Sequence, residues 1–233
     1  MAKMVGLSRG LKSEWLDKTV KLVLAGLSEN KIKDELNEYL SFEIKSPTNI
    51  RKTREILMNL WVYPNEDMDD IRNDAIIAFK TGKGSKMALH WCMILLCYPV
   101  FVDICGLIGK LTVIQDTFTT AWLKDKLFEE WGERATLYHS SDKILQTIKN
   151  LGAIENQSVG VYLIKQYPVL DDATIKVLVK TTLALKQKAY YEITEISSVS
   201  QMFPFVFDVT HEWIYNAGCF TLTNFGGKAV LMS

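Results

Sequence analysis

Residues 87–108 read MALHWCMILLCYPVFVDICGLI, and the fold turns on whether this stretch spans a membrane or fills a protein interior. Its charge-free part runs from Met87 to Val102, short of the ~18–20 residues that cross a bilayer. His90, Pro99 and Asp103 interrupt it, and lipid expels His and Asp at a cost. Proline has no amide hydrogen for a helix and its ring collides with the preceding turn. The pattern therefore predicts a buried helix that bends or ends near Pro99, with a membrane anchor as the distant alternative.

Composition fits a folded interior. Of 233 residues, 48% are hydrophobic and 23% are charged, enough for one large or two small cores and too apolar for disorder. Lys+Arg and Asp+Glu both number 27, so any nucleic-acid site must be a local basic patch. The start, MAKMVGLSRGLKSEW, has no uninterrupted apolar run and no small-residue cleavage pattern, so no secretory signal is expected and the cytoplasm is the default. Cys92, Cys97 and Cys105 lie inside the apolar stretch and read as reduced core residues.

Upstream, Leu16, Val20, Val23, Leu24 and Leu27 recur at helical spacing, which gives a first helix over about 13–26 that Gly26 stops. Ser28 caps a second, with Ile32, Leu36, Tyr39 and Leu40 on one face. Ser46-Pro47 then ends what precedes it, and Thr48 or Asn49 is the expected cap of a third helix with Ile50, Leu57, Leu60 and Trp61 inward. Glu66, Asp67, Asp69 and Asp70 gather where a fourth helix should start and read as dipole and solvation acids. The loop Gly82-Lys83-Gly84-Ser85-Lys86 follows a helix, so it lacks the strand–loop–helix setting of a phosphate-binding loop.

Downstream, residues 118–131 read as a helix closed by Gly132, and 140–151 as a short helix capped by Ser140 or Ser141. Val159–Ile164 supplies a strand, 171–190 a further helix, and 219–232 a hairpin about Gly226-Gly227. The expected fold is mainly α: a helical bundle over 1–84, then a lobe over 85–233 with a winged-helix-like segment at 118–165 and small β-hairpins.

No catalytic constellation emerges. His90 and Cys92, two apart on a helix, point in different directions. His139 beside Ser140 fits a helix start better than a base beside a nucleophile. No dinucleotide fingerprint, HExxH or GxSxG is present. Neither an enzyme nor a metal or cofactor is expected.

Three helix faces invite a DNA reading. With Ile144, Leu145, Ile148 and Leu151 inward, Lys143, Gln146, Thr147 and Asn150 fall on the opposite face; such side chains suit phosphates and base edges, and no carboxylate shares the face. Residues 28–60 have the cadence of a helix-turn-helix, with Lys45, Arg51, Lys52 and Arg54 against Glu43 and Glu55. Arg51 and Lys52 point outward there with Thr48 at the helix start, while Arg54 sits at the apolar edge. A weaker stripe is Lys176, Lys180 and Gln187. The rival is a protein–protein adaptor that docks partners through exposed Phe203, Phe205 and Phe207.

The order GLSRGLKSEWLDKTVKLVLAGLSENKIKDEL, KSPTNIRKTREIL, a long apolar helix and IKNLGAI leading into a strand resembles the BrxA family of BREX phage-defence systems over roughly the first 165 residues. The resemblance implies a mainly helical cytoplasmic protein with an antitermination-factor-like N-terminal bundle. It further implies double-stranded DNA as a partner, alongside the BREX methyltransferase and ATPase components. Lys45, Arg51 and Lys52 match the basic helix start of the family pattern.

Overall fold

The computed structural model describes residues 6–232 and is mainly helical, with 59% helix and a few short strands. Residues 87–108 fall in two helices, α5 (Lys86–Cys97) and α6 (Pro99–Leu111). Tyr98 between them is extended, at φ −130° and ψ 97°, the conformation that a following proline imposes. Every side chain from Ala88 to Leu95 is buried, as are Val100–Val102, Ile104, Cys105 and Ile108. No helix among the described residues is long and apolar enough to cross a membrane.

Four helices precede this pair: α1 (Ser13–Leu24), α2 (Glu29–Ser41), α3 (Pro47–Trp61) and α4 (Asp69–Thr81). Pro47 occupies the first turn of α3, with Ser46 as the N-cap position. Neither Thr48 nor Asn49 is the cap, because proline is preorganised for the first helical position and its missing N–H is an orphan there anyway. Helix α5 packs on α1, α3, α4 and α9 (Asp172–Ala184), and α4 and α9 pack on each other. A single buried cluster accordingly runs from Leu7 to Leu231. At its centre His90, 1% exposed, lies edge-on to Trp61 with Nε2 2.9 Å from Asp17 Oδ1. Burial pushes the His90 pKa down. Burial also pushes Asp17 up, but His90 and Lys86 outweigh it and hold that carboxyl below its usual range.

The C-terminal third is fastened to α5 and α6. A short 3-10 turn, Ser200–Met202, lies against α6 so closely that a Cβ on Gly109 would overlap the Ser200 carbonyl, so only glycine fits there. Trp91 Nε1 donates to the Gln201 carbonyl at 2.9 Å, and the Trp91 ring meets Phe101, Phe203 and Phe205 edge-on. Phe203, Phe205 and Phe207 are thus buried, each contributing about 1.5–3 kcal/mol. The expectation that these three are exposed docking groups is corrected.

Beyond α6 come β1 (Thr117–Thr119), α7 (Thr120–Trp131), α8 (Ala135–Asn150), β2 (Ile154–Ser158) and β3 (Val161–Ile164). The strands form one antiparallel sheet in the order β1-β3-β2. Phe118, expected to open a helix, sits instead in β1 and stacks on Tyr162, and Thr119 caps α7 by accepting from the Trp122 N–H at 3.1 Å. Helix α8 starts at Ala135, earlier than a Ser140 or Ser141 cap would allow. Both serines are buried inside it, and Ser141 satisfies its hydroxyl by donating to the Tyr138 carbonyl. Helix α9 stops at Ala184, short of the expected 171–190, and Tyr190, the end of that expected helix, opens β5 (Tyr190–Glu192) instead. That strand pairs with β8 (Lys228–Met232), which in turn pairs with β7 (Leu222–Phe225) about the Gly226-Gly227 turn.

Candidate nucleic-acid interface

The segment 6–12, GLSRGLK, is not helical, yet it organises the basic surface. Leu7 and Leu11 are fully buried, and they drag the backbone between them across α8. The Leu11 N–H donates to Thr147 Oγ1 at 3.0 Å, and Asn150 Nδ2 donates to the Leu11 carbonyl at 2.7 Å. Gly10 lies so close to Gln146 that a side chain there would displace the Gln146 amide. At the end of the segment Lys12 pairs with Glu43, which also accepts from Trp15 Nε1. Those bonds, with help from Trp15, hold the Glu43 carboxyl below its usual range.

This placement revises the α8 face. Lys143 and Gln146 are exposed. Thr147, 0% exposed, also donates to the Lys143 carbonyl at 2.9 Å, so it holds the segment and cannot reach a ligand. Asn150 is likewise committed to Leu11. The reason is one of angle: Thr147 lies at the border of the apolar stripe, and the covering segment moves that border outward.

On α3 the arrangement is open. Arg51, Lys52, Thr48 and Asn59 are exposed, as is Lys45 just ahead of the helix. No carboxylate pairs with Lys45, Arg51 or Lys52 among the described residues. Arg54 differs: its Nε and Nη2 donate to Glu55 Oε1 and its Nη1 to Asn37 Oδ1 at 3.0 Å. It joins α3 to α2 and is a structural residue. Burial raises the Glu55 carboxyl, but Tyr63 and Arg54 outweigh it and leave the carboxyl below its usual range.

The stripe on α9 is also structural. Lys176 Nζ lies 2.8 Å from Asp74 Oδ1, and Lys180 Nζ lies 2.5 Å from Asp70 and 2.6 Å from Asp74. Both lysines are therefore removed from the candidate site, since they clamp α9 to α4. Burial raises the Asp74 carboxyl and lowers the Lys180 ammonium, and in each case the opposite charges win: Asp74 is held below its usual range and Lys180 above it.

The fold brings α3 and α8 together through segment 6–12. A cleft of about 440 Å³ holds Arg51, Lys52, Asn59 and Tyr98 with Gly6 and Ser8. A second of about 680 Å³ holds Arg9, Arg134, His139 and Lys143, again with Gly6 and Ser8. Gly6 and Ser8 line both, and Arg9 of the second reaches α3 by donating through Nη2 to Asn49 Oδ1 at 2.8 Å. Arg9 and Arg134 were not anticipated from periodicity, because neither sits on a helical face. The available signal was charge: residues 6–12 carry Arg9 and Lys12 and no acid. Among the described residues no group of His, Cys, Asp and Glu could hold a metal ion. No protein-family model, curated protein or solved structure matches this chain.

Proposed function

We propose that this protein is a non-enzymatic double-stranded DNA-binding accessory of a BREX-type phage-defence system, acting beside that system's methyltransferase and ATPase. The system is inferred from the sequence resemblance alone. The DNA reading is carried by one observation: Arg9, Arg51, Lys52, Arg134 and Lys143 line two adjoining clefts and none forms an ion pair among the described residues. Cations left without ion-pair partners in a chain of zero net charge make a local positive field suited to a phosphate backbone.

The order of elements supports the same reading. Helix α6, β1, α7, α8, β2 and β3, with sheet order β1-β3-β2, is the sequence of parts in a winged helix, in which α8 would be the reading helix and the β2–β3 turn the wing. Here the last turn of α8 is tied to segment 6–12 through Thr147 and Asn150, so Arg134 at its N-cap with His139 and Lys143 along it would face DNA together with α3.

Fluorescence anisotropy of the full chain against a labelled duplex of about 30 base pairs, over a salt series, tests this. Four or more phosphate contacts give a log–log salt slope of about −3.6 or steeper, at about −0.9 per contact. No binding at low salt would remove the DNA reading.

A further inference from the structure

The two clefts are not equivalent. The α3 cleft includes Glu55 and Tyr98 and opens beside an exposed helix face of the kind that lies along a duplex. The α8 cleft, about 680 Å³, is lined by Arg9, Arg134, Lys143 and His139, with hydroxyls from Ser8 and Thr136, and by no carboxylate among the described residues. A recess of that size accommodates a whole small molecule. Its cations meet only neutral acceptors: Arg9 Nη1 and Nη2 donate to the oxygens of Ser8 and Asn49, Arg134 Nη2 to the Trp131 carbonyl at 3.0 Å and Lys143 Nζ to Gln146 Oε1 at 3.5 Å, and Arg9 Nε is buried with no acceptor. An unmatched buried donor on a charged group is costly. Arg134 is the N-cap residue of α8, no side chain caps that helix, and its first turn holds no acid. Free N–H groups and the helix dipole therefore add to the positive field at the cleft.

We propose that this cleft binds a terminal phosphate monoester, whether on a free nucleotide or at a 5′ end of DNA. A monoester carries a charge of about −1.5 to −2 at neutral pH, up to twice that of a backbone diester, and suits a cleft lined by three cations. The proposal stands apart from duplex binding, since the α3 face can hold a duplex whether or not the cleft is filled.

Titration calorimetry of the full chain with 2′-deoxyadenosine 5′-monophosphate, with deoxyadenosine as the control, tests it. It is paired with anisotropy on duplexes bearing 5′-phosphate or 5′-hydroxyl ends. The monophosphate is expected to bind at least about tenfold more tightly than the nucleoside, the scale of one charge-assisted hydrogen bond. Arg134→Gln and Lys143→Gln should each remove that preference, and Arg51→Gln should leave it intact. Tighter binding of the phosphorylated duplex, lost in the same two variants, assigns the DNA end as the source. Preference for the monophosphate with no difference between the duplexes assigns the free nucleotide. Equal binding of phosphorylated and unphosphorylated forms in both assays, or a preference that survives both variants, overturns the proposal. Binding of the hydroxyl-ended duplex reports separately on the DNA reading.

Discussion

On α3, Arg51 and Lys52 stand in solvent and neither forms an ion pair among the described residues, the nearby Glu55 being taken by Arg54 and Tyr63; on α9, Lys176 and Lys180 reach across to α4 and meet Asp74 and Asp70. In the sequence the two helices look alike, each with basic residues on one face. What separates them is a partner more than 100 positions away in the chain for both Lys176–Asp74 and Lys180–Asp70. A basic stripe carries information about ligands only after the acids that neutralise it in the fold have been counted.

The largest expected effect tests the open side of this contrast. Replacing Arg51 and Lys52 together by Glu removes two phosphate contacts and adds two repulsive charges. Duplex affinity is expected to fall at least about 100-fold at low salt, and the salt slope to become shallower by about 1.8, twice 0.9. The melting temperature should not move, because neither side chain holds another element. Unchanged affinity would take α3 out of the site.

The closed side should respond in the opposite way. Asp74→Ala strands the Lys176 ammonium on a half-buried surface and leaves Lys180 with Asp70 as its one remaining carboxylate. Breaking a fully buried pair costs about 3–5 kcal/mol; with partial exposure here about 1–3 kcal/mol is expected, or roughly 3–10 °C in melting temperature for a chain of this size. Duplex affinity should stay within about twofold, the reach of a distant charge screened by salt. A DNA defect with no stability loss would reverse the assignment of α9.

A third test uses pH. The Asp74 carboxyl is held below its ordinary value, so the stability it contributes is present above the unfolded carboxylate pKa of about 3.9 and lost as pH falls through the lower folded value. The Lys180 ammonium is held above its ordinary value, so its share persists below about pH 10 and is lost only as pH rises through the folded value. Thermal melts between about pH 5 and 3 should show the wild type losing stability. Asp74→Asn should lose less over that range, and identical slopes would mean that the clamp adds no acid sensitivity.

Much of the fold was legible because its signals are local. The Tyr98-Pro99 break, the Ser28 and Gly26 boundaries and the Gly226-Gly227 hairpin each follow from residue chemistry within a few positions. The misplacements share a different cause. Phe118 and Tyr190–Glu192 look helical or neutral on their own and become strands because β3 and β8 arrive from elsewhere in the chain to pair with them. The aromatic residues at 203–207 look like a sticky surface until Trp91 is set against them. The candidate site divides along the same line: Arg51, Lys52 and Lys143 were readable as outward residues of single helices, whereas Arg9 and Arg134 lie outside any periodic pattern. Thr147 looked exposed because nothing local to α8 reveals that Leu11 covers it.

That last contact allows the smallest and sharpest test, since it asks whether segment 6–12 belongs with α3 as part of one open face. Thr147→Val keeps the β-branched shape and removes the hydroxyl that accepts from the Leu11 N–H. The buried N–H then lacks its acceptor, at a cost of about 1–2 kcal/mol, seen as a small drop in melting temperature and faster proteolysis within residues 6–12. Loosening the segment releases Arg9 from its contact with Asn49. The duplex salt slope should then become shallower by about 0.9, one phosphate contact, with Arg51 and Lys52 still engaged. A destabilised variant with an unchanged slope would show that Arg9 makes no contact with DNA. The open face would then shrink to α3 and the part of α8 ahead of its last turn, with the segment acting only as the strap that joins them.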